Sequence, residues 1–264
     1  KQITSLCVAM LLLLSSCGSV PLTGRKQVLL VSDQEVLSSS LTQYSDYMKS
    51  AKKSSSKDGA AMVTRVGKKI AAATEQYLRN NGLESEIKNF AWEFNLVNDP
   101  QVNAFCMPGG KIVVYEGLMQ LVSSDDELAV VVGHEVAHAV AKHSNERMSQ
   151  QLMAQYGAQI LGQALSNKSA AVQKIGASVY GLGAQYGVML PFSRKHESEA
   201  DYMGLVFMAM AGYNPAVAVN FWQKMSAGKS GSTPEFMSTH PSDATRINEI
   251  KQHLPEIEKY RVKK

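Results

Sequence analysis

The sequence predicts a mainly α-helical protein with a small antiparallel β-sheet, an α+β fold. Apolar residues recur at helical spacing over residues 60–80, short strand-like runs follow over residues 90–115, and the chain from Glu116 onward is helical in pattern almost to its end. The chain has 264 residues, of which 45% are hydrophobic and 19% charged, so it can bury one sizeable core. We therefore expect one main domain.

The first predicted helix extends from about Ala60 to Asn80. Its apolar residues recur every three or four positions, which is typical of a helix with one buried face. Asn81-Gly82 follows, and a glycine after the last periodic residue indicates a helix C-terminus. The apolar stripe consists of Met62, Val63, Val66, Ile70, Ala73 and Tyr77.

Three short runs predict the sheet. Residues 90–97 alternate aromatic or apolar side chains with others, as a half-buried strand does, and Asn98-Asp99-Pro100 forms a turn after them. The runs 102–106 and 112–115 flank Pro108-Gly109-Gly110, which is typical of a β-hairpin turn. We therefore expect a small antiparallel sheet that contains a hairpin.

Charge and cysteine content exclude two classes of protein. Lys and Arg total 27 against 23 for Asp and Glu, and the net charge of +4 is scattered along the sequence, so nucleic-acid binding is not expected. Of the three cysteines, Cys7 and Cys17 lie in an N-terminal segment that we interpret as a targeting signal. Cys106 alone remains, so no disulfide framework is available.

The N-terminal segment is interpreted as a secretion signal. Residues 1–14 run from a cationic residue into an apolar stretch that is too short to span a bilayer. The next residues, Leu14-Ser15-Ser16-Cys17-Gly18, resemble the lipobox of bacterial lipoproteins, so we expect cleavage after residue 16 and acylation of Cys17. By the same resemblance Gly18 favours the outer membrane. The alternative is an ordinary secretory signal with a coincidental cysteine.

Two further segments have unusual composition. Residues 52–59 are rich in Ser and Lys and are predicted to be a solvated loop, either a plain exposed turn or a contact with anionic lipid. Residues 175–193 carry no charged side chain, and Gly183 and Gly187 have the spacing of a membrane-helix contact. Four glycines and two tyrosines dilute the hydrophobicity of this segment, so we predict a small-residue core helix or a lid and not a membrane span.

The chemistry is indicated by residues 134–138, which match His-Glu-x-x-His, the zincin signature. Ser124-Asp125-Asp126-Glu127 is a capping-box sequence that predicts a helix start before this motif. On a helix, His134 and His138 lie one turn apart on the same face and can share one metal ion. Glu135 is turned by about 100° from His134, so its carboxylate lies beside the metal site and can take a proton from water.

A catalytic zinc needs three protein ligands and an open position, so one ligand is missing. The metzincin pattern needs Gly at position 141 and His at position 144, whereas the chain has Ala141 and Ser144. We assign Glu197 as the third ligand and Asp201, on the same helix face, as an acceptor that orients a ligand imidazole. Glu199 points away from both. The sequence thus predicts a zincin of the gluzincin type with one Zn²⁺ per chain.

Five motifs follow one another along most of the chain: Val20-Pro21-Leu22-Thr23-Gly24-Arg25, Asn103-Ala104-Phe105-Cys106-Met107-Pro108-Gly109-Gly110, the two metal motifs, and Ser238-Thr239-His240-Pro241. In this order they resemble the zinc metalloendopeptidase family of the prenyl-protein proteases, HtpX and Oma. Within that family the sequence is more similar to the bacterial lipoprotein branch that includes LoiP and BepA.

The resemblance implies further site residues. Glu197 corresponds to the third ligand, His240 would stabilise an oxyanion at the substrate carbonyl, and Arg246 would support the site. The segment Asn103, Ala104, Phe105 and Cys106 would be an edge strand that binds an extended peptide through backbone hydrogen bonds, with an ordinary structural hairpin as the alternative. Cys106 is expected to be a buried small residue.

Together these inferences predict a membrane-tethered zinc endopeptidase that cleaves misfolded or misassembled proteins of the bacterial envelope, lipid-anchored to the outer membrane and facing the periplasm. Residues 1–16 would be the signal peptide, residues 17–59 the lipidated N-terminus and linker, and residues 60–264 the catalytic domain. Expected partners are protein substrates, the membrane and the outer-membrane assembly machinery. The alternatives are a chaperone or assembly factor with a structural zinc site, and a peptidoglycan hydrolase. Residues 150–193 are long enough to cover the cleft, so a latent form with a lid is a further hypothesis.

Overall fold

A computed structural model of the chain describes residues 17–184, 190–227, 235–240 and 244–262. The predicted signal peptide, residues 1–16, lies outside the described residues. Most of the described chain is helical and its sheets are small, which confirms the predicted fold class. The helices are α1 Asp33–Ser50, α2 Lys57–Asn80, α3 Glu84–Ile87, α4 Glu116–Met119, α5 Asp125–Val140, α6 His143–Leu165, α7 Ala170–Ala184, α8 Leu190–Met210, α9 Val217–Ala227, α10 Glu235–Thr239 and α11 Ala244–Ile257. The strands are β1 Cys17–Ser19, β2 Lys26–Val28, β3 Glu93–Val97, β4 Ala104–Met107 and β5 Lys111–Tyr115.

The three-stranded sheet has the order β3–β5–β4. Strands β4 and β5 form the predicted antiparallel hairpin, and Gly109 and Gly110 take positive φ angles of 92° and 79° in its turn. The expectation of antiparallel pairing throughout is wrong for β3, which runs parallel to β5. Every residue of β5 is buried, and a strand that is apolar on both faces takes the central position. Strand β4 is consequently an edge of this sheet.

The segment before α2 has more regular structure than the sequence predicted. Helix α1 begins with a complete capping box, in which Glu35 N donates to Ser32 Oγ at 3.2 Å and Ser32 N donates to Glu35 Oε2 at 3.1 Å. Ser56 caps α2, which therefore begins at Lys57 and shortens the predicted loop of residues 52–59. Strands β1 and β2 pair antiparallel ahead of α1.

Helix α5 is the centre of the core, where it packs against α2, α8, α9 and β4. Its predicted start is confirmed, because Ser124 Oγ accepts a hydrogen bond from Glu127 N at 3.2 Å. Buried residues occur on every side of this helix, as expected for an element enclosed by others. The His-Glu-x-x-His motif therefore belongs to a rigid, enclosed helix.

Helices α5 and α8 approach each other backbone to backbone at Gly133 and Gly204. A Cβ atom on Gly204 would lie 2.7 Å from His134 N, and one on Gly133 would lie 2.8 Å from Gly204 O. Neither position has room for a side chain. Gly133 directly precedes His134, and Gly204 follows Asp201 by about one turn. This contact thus brings α5, which contains His134, close enough to α8, which contains Asp201, for their side chains to meet.

Helices α6 and α7 form an antiparallel hairpin. Residues 170–181 of α7 are exposed except for Gly176 and Tyr180, which are half-buried against α6. The prediction of a core helix in residues 175–193 is therefore wrong for the part of this segment that the structure describes, whereas the lid stays a prediction. Across the described ranges, no helix combines the length and the apolar character that crossing a membrane requires.

Candidate active site

Four side chains with metal-binding atoms converge at one point. His134 and His138 come from α5, Glu197 comes from α8, and His240 directly follows α10. Their ligand atoms all lie within 4.8 Å of one another. The Nε2 atoms of His134 and His138 are 3.0 Å apart, and the Glu197 oxygens lie 3.2 Å and 3.4 Å from them. The structure therefore brings together the three sequence-predicted ligands and adds His240 to them.

Asp201 and Arg246 hold the ring of His134. Asp201 Oδ1 lies 2.9 Å from His134 Nδ1, so this hydrogen bond turns Nε2 toward the cluster. Arg246 donates from Nε and Nη2 to the two oxygens of Asp201, and its Nη1 lies 3.2 Å from Glu197 Oε2. Burial would raise the pKa of Asp201, but the charge and hydrogen bonds of Arg246 hold it below its ordinary value. Both residues lie beside the predicted ligands.

The electrostatics favour an ionised Glu197. Burial raises the pKa of this carboxyl group, but hydrogen bonds with His134, His138 and His240 lower it much further. Burial lowers the pKa of His138 well below its ordinary value, so this ring is neutral. Burial also acts against protonation of His134, but hydrogen bonds with Asp201 and Glu197 raise its pKa to about 9. A divalent cation that binds here would displace this proton.

Glu135 is buried next to the cluster. Its Oε2 accepts a hydrogen bond from Cys106 N at 3.1 Å. Its Oε1 accepts none within the described ranges, and His240 Nε2 lies 3.5 Å away. Burial raises the pKa of Glu135, and the charges of His240 and His134 oppose this effect. A buried carboxylate with one unused oxygen and a raised pKa suits a group that accepts a proton and passes it on.

The edge strand β4 lies against α5 beside Glu135. Tyr115 N donates to Asn103 O at 3.1 Å, and the antiparallel alternation then turns the backbone groups of Ala104 and Cys106 away from β5. Cys106 N uses this direction to reach Glu135, and Ala104 N donates to Asn103 Oδ1 at 2.9 Å. The carbonyl groups of Ala104 and Cys106 face the edge at which a peptide could pair.

The side chains of Phe105 and Cys106 in β4 have structural roles. The ring of Phe105 packs edge to face against Tyr47 and Tyr115, with centroid distances of 5.3 Å and 6.2 Å. Cys106 is half-buried and not fully buried as expected, and the partial burial of its thiol and the charge of Glu135 raise the pKa of that thiol well above its ordinary value. A protonated thiol is a poor nucleophile and a poor metal ligand.

An aromatic stack, which the sequence did not reveal, supports His240. Phe236 stacks on the ring of His240 at 4.5 Å between centroids, and Trp222 stacks on Phe236 at 5.6 Å. His240 Nδ1 lies 3.1 Å from Glu197 Oε2 and 3.2 Å from His134 Nε2. His240 is therefore placed among the ligand atoms as well as beside Glu135.

A buried charged network connects Arg25, which directly precedes β2, to the cluster of metal-binding side chains. Arg25 donates to both oxygens of Glu146 at 2.9 Å and 2.7 Å, and to Glu199 Oε2 at 2.8 Å. Glu199 Oε2 lies 3.0 Å from His143 Nε2, and His143 Nδ1 lies 2.8 Å from His138 Nδ1. Continuous contacts thus lead from Arg25 to His138.

Sequence reasoning missed this network because its members are far apart in the chain. Arg25 and Glu146 are separated by 121 positions. His143 is buried and stacks on His196 at 4.1 Å between centroids, so the two histidines face each other inside the molecule. The sequence contained one signal of this network. Arg25 is the last residue of the Val20–Arg25 motif, and the spacing of that motif alone does not suggest a function for it.

The donor set fits zinc. Two imidazoles from one helix and a carboxylate from another are a common set of ligands in catalytic zinc sites. The fit rests on the Nε2 atoms of His134 and His138 facing the ionised Glu197. With three protein ligands a position stays open for water, whereas a fourth protein ligand would close the site.

Comparisons with known proteins agree with this chemistry. The sequence profile of peptidase family M48 matches residues 64–254. The mitochondrial metalloendopeptidase OMA1 of Schizosaccharomyces pombe is 36% identical over 205 residues, which are 74% of this chain and 53% of that protein. The OMA1 of Arabidopsis thaliana is 40% identical over 168 residues, 64% of this chain and 33% of that protein. The beta-barrel assembly-enhancing protease of Yersinia pestis is 33% identical over 174 residues, 61% of this chain and 36% of that protein.

The matched region is only part of each relative. The chain spans about half the length or less of the curated relatives named above. The family model itself covers the region that contains the His-Glu-x-x-His helix and Glu197, whereas what the rest of each relative does is not transferred to this chain.

Proposed function

Because the chain belongs to peptidase family M48, we propose that it is a zinc-dependent endopeptidase that cleaves misfolded or misassembled envelope proteins. The observation that carries the proposal is the convergence of His134, His138 and Glu197 beside the buried Glu135. Asp201 and Arg246 orient the site without adding a further ligand atom to the cluster.

The mechanism follows from the positions of these side chains. His134, His138 and Glu197 would hold one zinc ion, which polarises a carbonyl group and lowers the pKa of water to about 7. Glu135 takes the proton of the attacking water on its unused Oε1 and later passes it to the leaving amine. His240, whose Nε2 lies 3.5 Å from Glu135 Oε1, donates to the developing oxyanion.

The substrate is proposed to bind as an extended peptide along β4. The carbonyl groups of Ala104 and Cys106 accept its backbone N–H groups, so the peptide adds a strand to the sheet. Because these contacts use backbone atoms, selectivity for particular side chains is weak. That property suits an enzyme for unfolded protein chains.

A cleavage assay tests this function. The purified chain with zinc is expected to cut casein, to stop when a chelator removes the metal, and to recover when zinc is restored. A zinc-loaded, folded sample that leaves casein and other unfolded proteins intact would contradict the proposal.

One observation favours a second function, a chaperone or assembly factor whose zinc is structural. His240 brings a fourth potential ligand atom to the cluster, and closed sites with four protein ligands are typical of structural zinc. Against this, a structural site has no use for the buried Glu135 with its unused oxygen. The same assay decides, since a closed site binds zinc tightly without cleaving any peptide.

The proposed location is the bacterial outer membrane, facing the periplasm, with acylated Cys17 as the anchor. Support comes from the Leu14–Gly18 sequence and from similarity to a bacterial protease whose name refers to β-barrel assembly. Outer-membrane proteins under assembly are therefore the proposed substrates. Mass spectrometry of the mature protein is expected to find diacylglycerol on an N-terminal Cys17, and an unmodified cysteine would contradict the anchor.

A further inference from the structure

The α6–α7 hairpin concentrates exposed apolar side chains. Of the nine large apolar side chains that are exposed within the described ranges, six lie on this hairpin. The six are Met153, Tyr156, Ile160, Val172, Ile175 and Val179, with exposed fractions of 39%, 60%, 67%, 45%, 64% and 65%. Apolar surface gathered in this way on a projecting element indicates a binding surface.

The six side chains form two stripes with the same spacing. On α6 they occupy residues 153, 156 and 160, and on α7 residues 172, 175 and 179, so each stripe follows the pattern i, i+3, i+7 along one helix face.

Both stripes face the same side of the hairpin. The helices contact each other through Gly157 against Tyr180 and through Leu165 against Gly176. At about 100° per residue, each stripe is turned from its contact face by roughly the same angle and in the same sense. Two antiparallel helices are related by a twofold axis that is perpendicular to the plane containing both helix axes. Rotation about this axis does not exchange the two sides of that plane, so both stripes lie on the same side of it. The hairpin therefore presents one continuous apolar face.

The charge of this region has a single sign. Between Glu146 and Glu197 the sequence contains no Asp or Glu, although 23 acidic residues occur in the whole chain. The same interval contains Arg147, Lys168, Lys174, Arg194 and Lys195. Lys168 lies in the turn that joins α6 to α7. Because this interval contains no carboxylate that an anionic lipid surface would repel, its exposed apolar side chains and its excess of cations together suit such a surface.

We propose that the α6–α7 hairpin lies flat on an anionic bilayer, with its apolar face in the boundary between headgroups and acyl chains. In-plane binding accounts for apolar stripes on helices that are not suited to crossing a membrane. Leu30, which is 37% exposed, extends the surface, because its backbone N donates to Ser149 Oγ one turn before Met153. The hairpin is thus a second membrane contact that needs no acyl chain.

Vesicle binding tests the proposal, and it needs no catalytic activity. The full chain carries Cys17→Ala, so that acylation contributes nothing, and is mixed with vesicles of phosphatidylethanolamine and phosphatidylglycerol. The test variant is Ile160→Glu with Ile175→Glu. The matched control is Leu41→Glu with Val262→Glu. It changes the net charge by the same amount, at two positions outside the hairpin that are 46% and 57% exposed.

We expect the hairpin variant to lower the partition coefficient by about tenfold or more, and the control to change it by less than about twofold. Binding should weaken in high salt and on phosphatidylcholine vesicles. Hydrogen exchange of residues 150–184 should slow when the anionic vesicles are added.

Three results would overturn the proposal. The hairpin variant could bind the vesicles as well as the parent chain does. Exchange in the hairpin could slow with protein concentration in the absence of lipid, which would identify a second copy as the occupant. It could also slow only when unfolded casein is added, which would make the hairpin a substrate-binding surface.

Discussion

Replacing Glu135 by glutamine is expected to lower peptide-bond cleavage roughly 10²- to 10⁴-fold, which is the usual contribution of a general base. Glutamine has nearly the same size and can still accept the hydrogen bond from Cys106 N, but it cannot take a proton from water. The zinc content and the fold should therefore be unchanged. Casein cleavage, metal analysis and thermal unfolding measure these three properties on one sample.

Glu84→Gln is the matched control for this substitution. Glu84 is exposed at the start of α3, so the same chemical change there should leave the cleavage rate at the parent value. Cleavage by the Glu135→Gln variant at the parent rate would show that another group takes the proton, and the proposed mechanism would be wrong.

Replacing Glu197 by glutamine should remove most zinc binding and with it most cleavage. The amide is neutral and is a weaker metal ligand than the carboxylate, and His134, His138 and Arg246 would face a neutral group. Loss of a partner outside the ligand set typically lowers metal affinity by about 10- to 100-fold, so loss of a ligand should exceed about 100-fold. Competition with a zinc-binding dye measures the affinity directly.

Glu199→Gln provides the comparison, because Glu199 lies two residues away on the same helix and faces His143. Its effect on zinc affinity should stay within about 10- to 100-fold, since it acts on His138 only through His143. If both variants lost zinc equally, the assignment of Glu197 as a ligand could not be maintained.

The ligand residues could be predicted because their chemistry is encoded locally. His134 and His138 need only the helical repeat to share a face, and Glu197 and Asp201 need the same repeat on a second helix. The capping sequence before α5 and the turn between β4 and β5 are also local signals, and the structure has both.

What the sequence did not reveal depends on contacts between distant segments. The parallel pairing of β3 with β5 depends on which strand is buried on both faces. The short apolar runs in the sequence do not show which strand lies at the centre of the sheet. The sequence indicates no role for Gly133, which is the position where α5 meets Gly204 of α8. The small residues of α7 suggested burial, but the hairpin exposes its apolar stripe.

Arg25 also determines how much of the chain forms a self-sufficient unit. It lies outside the family-matched residues 64–254, yet it supplies the cation between Glu146 and Glu199, whose side chains are 3% and 6% exposed. A fragment trimmed to the matched region would lack this cation, so we expect it to be less stable than the full chain. We therefore expect a fragment that folds on its own to start upstream of Arg25, because a boundary drawn by sequence similarity alone would remove a residue that supports the metal centre.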